Sequence, residues 1–178
     1  YAKYSQEEVL NTARYFKENE IPISVLGLEP GWQTHAYACS FVWNEALYPD
    51  PKKMVESLCA DGYHVNLWEH AFTHPSAPIY QNLLQYCGNY EVWNGIVPDF
   101  SFDETKEIFA RYHIDNVTFG LIDGFKLDEC DGSDFRNGWS FPLCSEFPSG
   151  MDGEQYHSLF GTLYMQTMMR VTGETLSQ

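Results

Sequence analysis

The chain has 178 residues, a formal net charge of −15, and 44% hydrophobic and 16% aromatic residues. That is enough length and apolar material for one folded domain with its own core, and it excludes a disordered tail or linker. Ten Lys and Arg, spread along the chain against 25 Asp and Glu, form no basic patch, so nucleic acid is excluded as a partner.

In chain order, Ser5 and Glu8 read as a capping box, and Val9, Leu10, Ala13 and Phe16 follow at helical spacing. Pro22 closes this helix and opens a short apolar strand, Ile23 to Leu28. Asp50-Pro51 marks the next helix start, with Met54, Val55, Leu58 and Cys59 as its apolar face and Gly62 as its end. A second strand runs from His64 to Trp68. Asn94-Gly95 and Asp115-Asn116 read as turns. Ser101 and Glu104 predict another capping box ahead of Ile108, Phe109 and Tyr112. Phe119 to Ile122 leads through Gly124 into a third strand, Phe125 to Asp128. A last helix is expected from about Glu154 to Arg170, with Met165, Met168 and Met169 assigned to the core.

No apolar run approaches the ~20 residues of a membrane span, so no membrane is expected as a partner. The five cysteines, Cys39, Cys59, Cys87, Cys130 and Cys144, form no CxxC pair. They read as buried free thiols, neither a disulfide framework nor a zinc site. The chain opens at Tyr1 and reads as a piece of something longer. Localisation stays open, with a lean to a cytoplasmic or periplasmic setting.

Alternating helices and strands imply parallel strands with crossover helices. Three long polar-aromatic loops, Glu29 to Tyr48, Glu69 to Asp99 and Glu129 to Gly153, each follow the C-terminal end of a strand. In parallel α/β folds that end carries the ligand site. A small doubly wound sheet fits the length but normally carries a glycine-rich phosphate turn, and Gly27-Leu28-Glu29-Pro30-Gly31 lacks that spacing. A closed barrel takes about 250 residues. The expected fold is therefore α/β, a portion of a (β/α)8 TIM barrel with parallel strands alternating with helices.

The densest chemistry lies in Gly124-Phe125-Lys126-Leu127-Asp128-Glu129-Cys130-Asp131-Gly132-Ser133-Asp134. Side chains alternate along a strand, so Lys126 and Asp128 share one face while Phe125 and Leu127 share the other. A carboxylate beside an ammonium stays ionised, as nucleophilic attack on an anomeric carbon requires. A calcium-holding loop or a plain solvated turn is the alternative, but the three-residue spacing of Asp128, Asp131 and Asp134 fails the EF-hand pattern, so no metal is expected. Glu29, at a strand end, is a candidate contact for sugar hydroxyls or the cap of a neighbouring helix. Trp32, Trp68 and Trp139 are candidates for stacking on sugar or for packing. His70 and His74 are read as substrate contacts or as structural polar groups, and Arg136 as a partner for one of the loop acids.

Gly124 to Glu129 resembles the nucleophile strand of glycoside hydrolase family 31, retaining enzymes that cleave α-linked sugars. Leu26-Gly27-Leu28-Glu29-Pro30-Gly31-Trp32 resembles a further strand end of that family, and Trp43 to Phe72 resembles its passage with Pro-Asp-Pro and Leu-Trp. The resemblance implies the N-terminal part of a (β/α)8 catalytic domain over residues 1–178, with Asp128 as nucleophile and no cofactor. It also implies an acid/base Asp on a later strand-end loop, beyond this chain, so the remainder of the barrel is an expected partner and the isolated piece is expected to be inactive. Lys126 stands where many members carry Trp, and Lys-x-Asp is similar to the α-galactosidases of families 27 and 36. Glu29 stands where glucose-specific members carry Asp. Both departures tilt the expected substrate toward α-galactosides or α-N-acetylgalactosaminides, with Lys126 and Asp131 as further sugar contacts. The alternatives are an α-glucosidase or α-xylosidase of the same family, a transglycosylase, or a non-catalytic carbohydrate-binding barrel fragment.

Overall fold

The computed structural model describes residues 5–130 and 140–173. Helix α1 (Gln6–Glu18) starts at Ser5, whose hydroxyl oxygen accepts from the Glu8 N–H at 3.2 Å; the Glu8 carboxylate takes the Ser5 hydroxyl instead of closing on its backbone. Strand β1 (Val25–Leu28) follows, then a single 3-10 turn over Pro30–Trp32. Helix α2 (Pro51–Ala60) is capped by Asp50 and buries Met54, Val55 and Leu58. Strand β2 (His64–Glu69) runs beside β1, and strand β5 (Gly124–Leu127) runs on the other side of β2, both in parallel. Between β2 and β5 lie the short helix α3 (Tyr80–Leu83), the antiparallel pair β3 (Cys87–Val92) and β4 (Gly95–Pro98), and helix α4 (Asp103–Asn116). Helix α5 (Gly153–Thr172) closes the described chain with a true capping box, Asp152 with Gln155, and ends on Gly173 in the left-handed region at φ 74°.

The main sheet therefore has the order β1-β2-β5, three parallel strands that form an open sheet and not a closed barrel. Leu26, Leu28, Val65 and Leu67 are buried on one face of the sheet with Phe109 of α4 and Phe160 and Tyr164 of α5. The rings of Phe100, Phe109 and Tyr164 lie 5.3 to 5.9 Å apart and continue that layer.

Several expectations are corrected. Ser101 does not cap α4: its hydroxyl donates to Asp99, and the helix starts after Phe102 with no side-chain cap. Asp115 and Asn116 lie in the last turn of α4, not in a turn beyond it. The turn read at Asn94-Gly95 is present one residue earlier, at Trp93-Asn94 with Gly95 opening β4, but the strands β3 and β4 that it joins were not expected. Trp93 and Asn94 take φ 50° and 60°, the backbone that a tight two-residue hairpin requires. Of the three methionines assigned to the core only Met168 is buried, while Met165 is exposed. Of the five cysteines only Cys39 is fully buried.

Candidate active site

The site is built at the C-terminal ends of β1, β2 and β5. Asp128 follows β5 directly, and its N–H donates to the Glu69 carbonyl at 2.9 Å, extending the β2–β5 ladder by one step. This places the Asp128 side chain on the same face as Trp68, which stands opposite Lys126 in the register. The Trp68 indole donates to Asp128 Oδ2 at 2.7 Å, and the Glu129 N–H donates to Oδ1 at 3.1 Å. Lys126 Nζ lies 3.6 Å from Asp128 Oδ2 and 3.6 Å from Glu29 Oε2, bridging the ends of β1 and β5. The expected pairing of Lys126 and Asp128 on one strand face is thus present in the geometry.

Partial burial pushes the Asp128 pKa upward, but the Trp68 indole, the Glu129 N–H and the Lys126 ammonium together outweigh it, leaving the carboxyl below its ordinary value. The side chain is 39% exposed, so an ionised oxygen can be reached from solvent.

The tryptophans are corrected. Trp32 is fully buried and donates its indole N–H to the Trp68 carbonyl at 2.6 Å. Trp68 is 1% exposed. Neither has a free face for a sugar: Trp32 fixes the Trp68 backbone, and Trp68 in turn fixes the Asp128 carboxylate. His70 is also fully buried, with Nδ1 3.5 Å from Cys39 Sγ, and burial drops its pKa to about 3. His74 stacks on His35 with ring centroids 3.6 Å apart, so its ring is engaged between two loops. Asp131, Arg136 and Trp139 lie outside the described residues.

Tyr37 is the site residue that the sequence reading missed. It comes from the loop after β1, is 45% exposed, and sets its ring 5.3 Å from Trp68 and 5.0 Å from Trp93 at the hairpin tip. Burial first, then the charges of Glu129, Asp128, Cys39 and Glu29, push its pKa to about 12. The only sequence signal was an aromatic residue in a loop after a strand. Among the described residues no group of three or more His, Cys, Asp or Glu could hold a metal ion, and no helix is long and apolar enough to cross a membrane.

An ionised carboxylate at the C-terminal end of a parallel strand, oriented by a donor from the neighbouring strand, stands at the end where parallel α/β folds carry their ligand sites. Over residues 1–178 the sequence matches the model of the glycosyl hydrolases family 31 TIM-barrel domain, and the chain belongs to that family. It is 24% identical over 141 residues to alpha-xylosidase XylQ of Lactiplantibacillus pentosus, covering 70% of this chain and 18% of that protein. An alpha-xylosidase of Emericella nidulans is 20% identical over 190 residues, covering 98% of this chain and 23% of that protein. The chain thus spans about a fifth of the length of these curated relatives. Among solved structures, a GH31 alpha-xylosidase from a soil metagenome complexed with xylose superposes with a TM-score of 0.78 at 18% identity, covering 99% of this chain and 27% of the other, a likeness of fold.

Proposed function

We propose that this chain is the part of a retaining α-glycoside hydrolase barrel that supplies the nucleophile, Asp128, for cleavage of α-xylosides or α-glucosides. The observation that carries the reading is the Asp128 carboxylate, held ionised at the end of β5 by Trp68, Glu129 and Lys126. In the first step an Asp128 oxygen attacks the anomeric carbon and the bond to the aglycone oxygen breaks. The leaving oxygen takes a proton from a second carboxyl group, and a glycosyl ester of Asp128 forms. In the second step that carboxylate removes a proton from water, which attacks the same carbon and releases Asp128. In retaining enzymes the two carboxyls stand about 5–5.5 Å apart. By the family resemblance the second is an Asp on a later strand-end loop, supplied by the remainder of the barrel.

The galactoside expectation gives way here. It rested on Lys126 and Glu29 as contacts to the sugar, whereas the Lys126 ammonium sits between two carboxylates at 3.6 Å each. A charge bridge accounts for both residues without an axial hydroxyl. The two curated relatives above both carry the name alpha-xylosidase, which favours the xyloside over the glucoside.

The test uses a protein carrying the complete barrel, assayed on aryl α-xyloside, α-glucoside and α-galactoside, each with Asp128→Asn beside it. Hydrolysis of xyloside or glucoside that disappears in the variant supports the reading. Activity surviving Asp128→Asn removes the nucleophile assignment, and cleavage of the galactoside alone removes the substrate assignment.

A further inference from the structure

β2 carries a carboxylate where its own pattern calls for an apolar residue. Val65, Leu67 and Glu69 alternate onto the face that packs under α4 and α5, and Glu69 is fully buried there. An unpaired carboxylate at such a position costs several kcal/mol. Glu69 is instead held at both oxygens. Tyr164 of α5 donates to Oε1 at 2.7 Å, and Nε2 of His113 on α4 lies 3.1 Å from Oε2. His113 and Tyr164 are themselves fully buried. His113 Nδ1 lies 2.8 Å from the Phe109 carbonyl, which can only accept, so Nδ1 carries a hydrogen. The contact between Nε2 and Oε2 then holds one hydrogen shared by imidazole and carboxyl.

The same residue meets the nucleophile strand through its backbone. Glu69 stands opposite Leu127, and its carbonyl accepts the Asp128 N–H at 2.9 Å. The preceding residue, Trp68, holds the Asp128 carboxylate on the opposite face of the sheet. Asp128 is therefore gripped by the main chain of Glu69 and the side chain of Trp68, and the Glu69 carboxylate ties that two-residue segment to both helices behind it. A buried ionic cluster adds little net stability over an apolar replacement of the same shape. What it does add is a single permitted arrangement.

We propose that Glu69, with His113 and Tyr164, is a positioning device that sets the Asp128 carboxylate for attack. The proposal rests on the reading of Asp128 as nucleophile. When the clamp is loosened, the end of β2 turns, the Trp68 indole draws away from Oδ2, and the nucleophile is both misaligned and easier to protonate. The other titratable groups facing Asp128 are Lys126, Glu29, Glu129, Tyr37 and His70, while Cys39 and Cys130 lie near the cluster itself.

The experiment compares Glu69→Gln, which keeps the side-chain volume, and Tyr164→Phe, which removes one oxygen, with wild type in a protein carrying the complete barrel. Asp128→Asn, Trp68→Phe and Val55→Ala serve as controls, Val55 being a buried residue of α2 away from the site. In Glu69→Gln and Tyr164→Phe, kcat falls about tenfold with KM within about twofold, the cost of a small misplacement of a reacting group. The acid limb of kcat/KM moves to higher pH, toward that of Trp68→Phe, while Val55→Ala lowers Tm and leaves the limb in place. If both cluster variants keep wild-type kcat and acid limb, or if Val55→Ala moves the limb as far as they do, the proposal is overturned. An inactive Asp128→Asn beside unchanged cluster variants sinks this inference alone. An active Asp128→Asn sinks the proposed function and this inference with it.

Discussion

Beside the Glu129 N–H, two side chains hold Asp128 ionised, and distance and exposure rank them. The Trp68 donor is buried and lies at 2.7 Å, whereas the Lys126 ammonium is half exposed at 3.6 Å. A hydrogen bond to a charged group contributes about 1.5–3 kcal/mol, while a solvent-screened ion pair contributes about 1 kcal/mol or less. Trp68→Phe therefore raises the Asp128 pKa further than Lys126→Met does. The sign follows from the proposed reaction, in which only the carboxylate form of Asp128 attacks: activity disappears as pH falls through the Asp128 pKa, and raising that pKa moves the acid limb to higher pH. The pH dependence of kcat/KM for both variants checks the order. A larger displacement in Lys126→Met would mean that charge, not the indole, governs the nucleophile. The same depressed pKa bears on folding. The folded-state carboxyl lies below its unfolded value of about 3.9, so its contribution is complete above that pH and is lost as pH falls through the folded pKa.

The elements that present the site show where sequence patterns inform and where they stop. The three parallel strands and the helices α1, α2, α4 and α5 were legible because burial on one face imposes a period, and Ser5 and Asp50 mark helix starts with local chemistry. Of the β3–β4 hairpin only the turn was legible, through Asn94-Gly95, and it sits one residue earlier because Trp93 takes the left-handed region, a conformation that an aromatic residue does not advertise. Burial of Trp32 and Trp68 was equally hidden, since a strand-end aromatic reads the same whether it faces solvent or a neighbouring loop. Glu69 looked like the first residue of a polar loop, because its partners lie 44 and 95 residues away. One close approach is open to test. Gly161 of α5 packs against the main chain that follows Asp128, and a Cβ there would meet the Cys130 carbonyl at 2.9 Å. Gly161→Ala gains about 1 kcal/mol of helix propensity and loses about 1–3 kcal/mol to overpacking, so the net change in Tm is a few degrees at most. Cys130 is two residues from Asp128, so kcat falls severalfold. A Tm gain with unchanged kcat would show that this segment yields without moving Asp128.

At the scale of the whole molecule, an open sheet and a large net charge act against each other. Among the described residues the outer edges of β1 and β5 have no strand beside them, and an unpaired strand edge is a template for pairing with another chain. Val25 on β1, with Leu143, Leu159 and Met165, adds exposed apolar surface. Opposing association is a net charge of −15, which makes copies of the chain repel one another. The repulsion is long-ranged and screened, with a Debye length of about 10 Å at 0.1 M salt and about 3 Å at 1 M, whereas edge pairing and apolar contact act at touching distance. The isolated 178-residue chain should therefore elute close to monomer size at low ionic strength and shift to larger species as sodium chloride rises toward 1 M. On the function proposed above, in which the acid/base Asp comes from the remainder of the barrel, it should show no hydrolysis in either state. Size-exclusion chromatography with light scattering across that salt series, with the aryl glycoside assays run on each peak, reads both outcomes. A single monomeric peak at every salt concentration would mean that these edges are covered in solution. Turnover by any peak that disappears in Asp128→Asn would mean that this chain carries its own acid/base group.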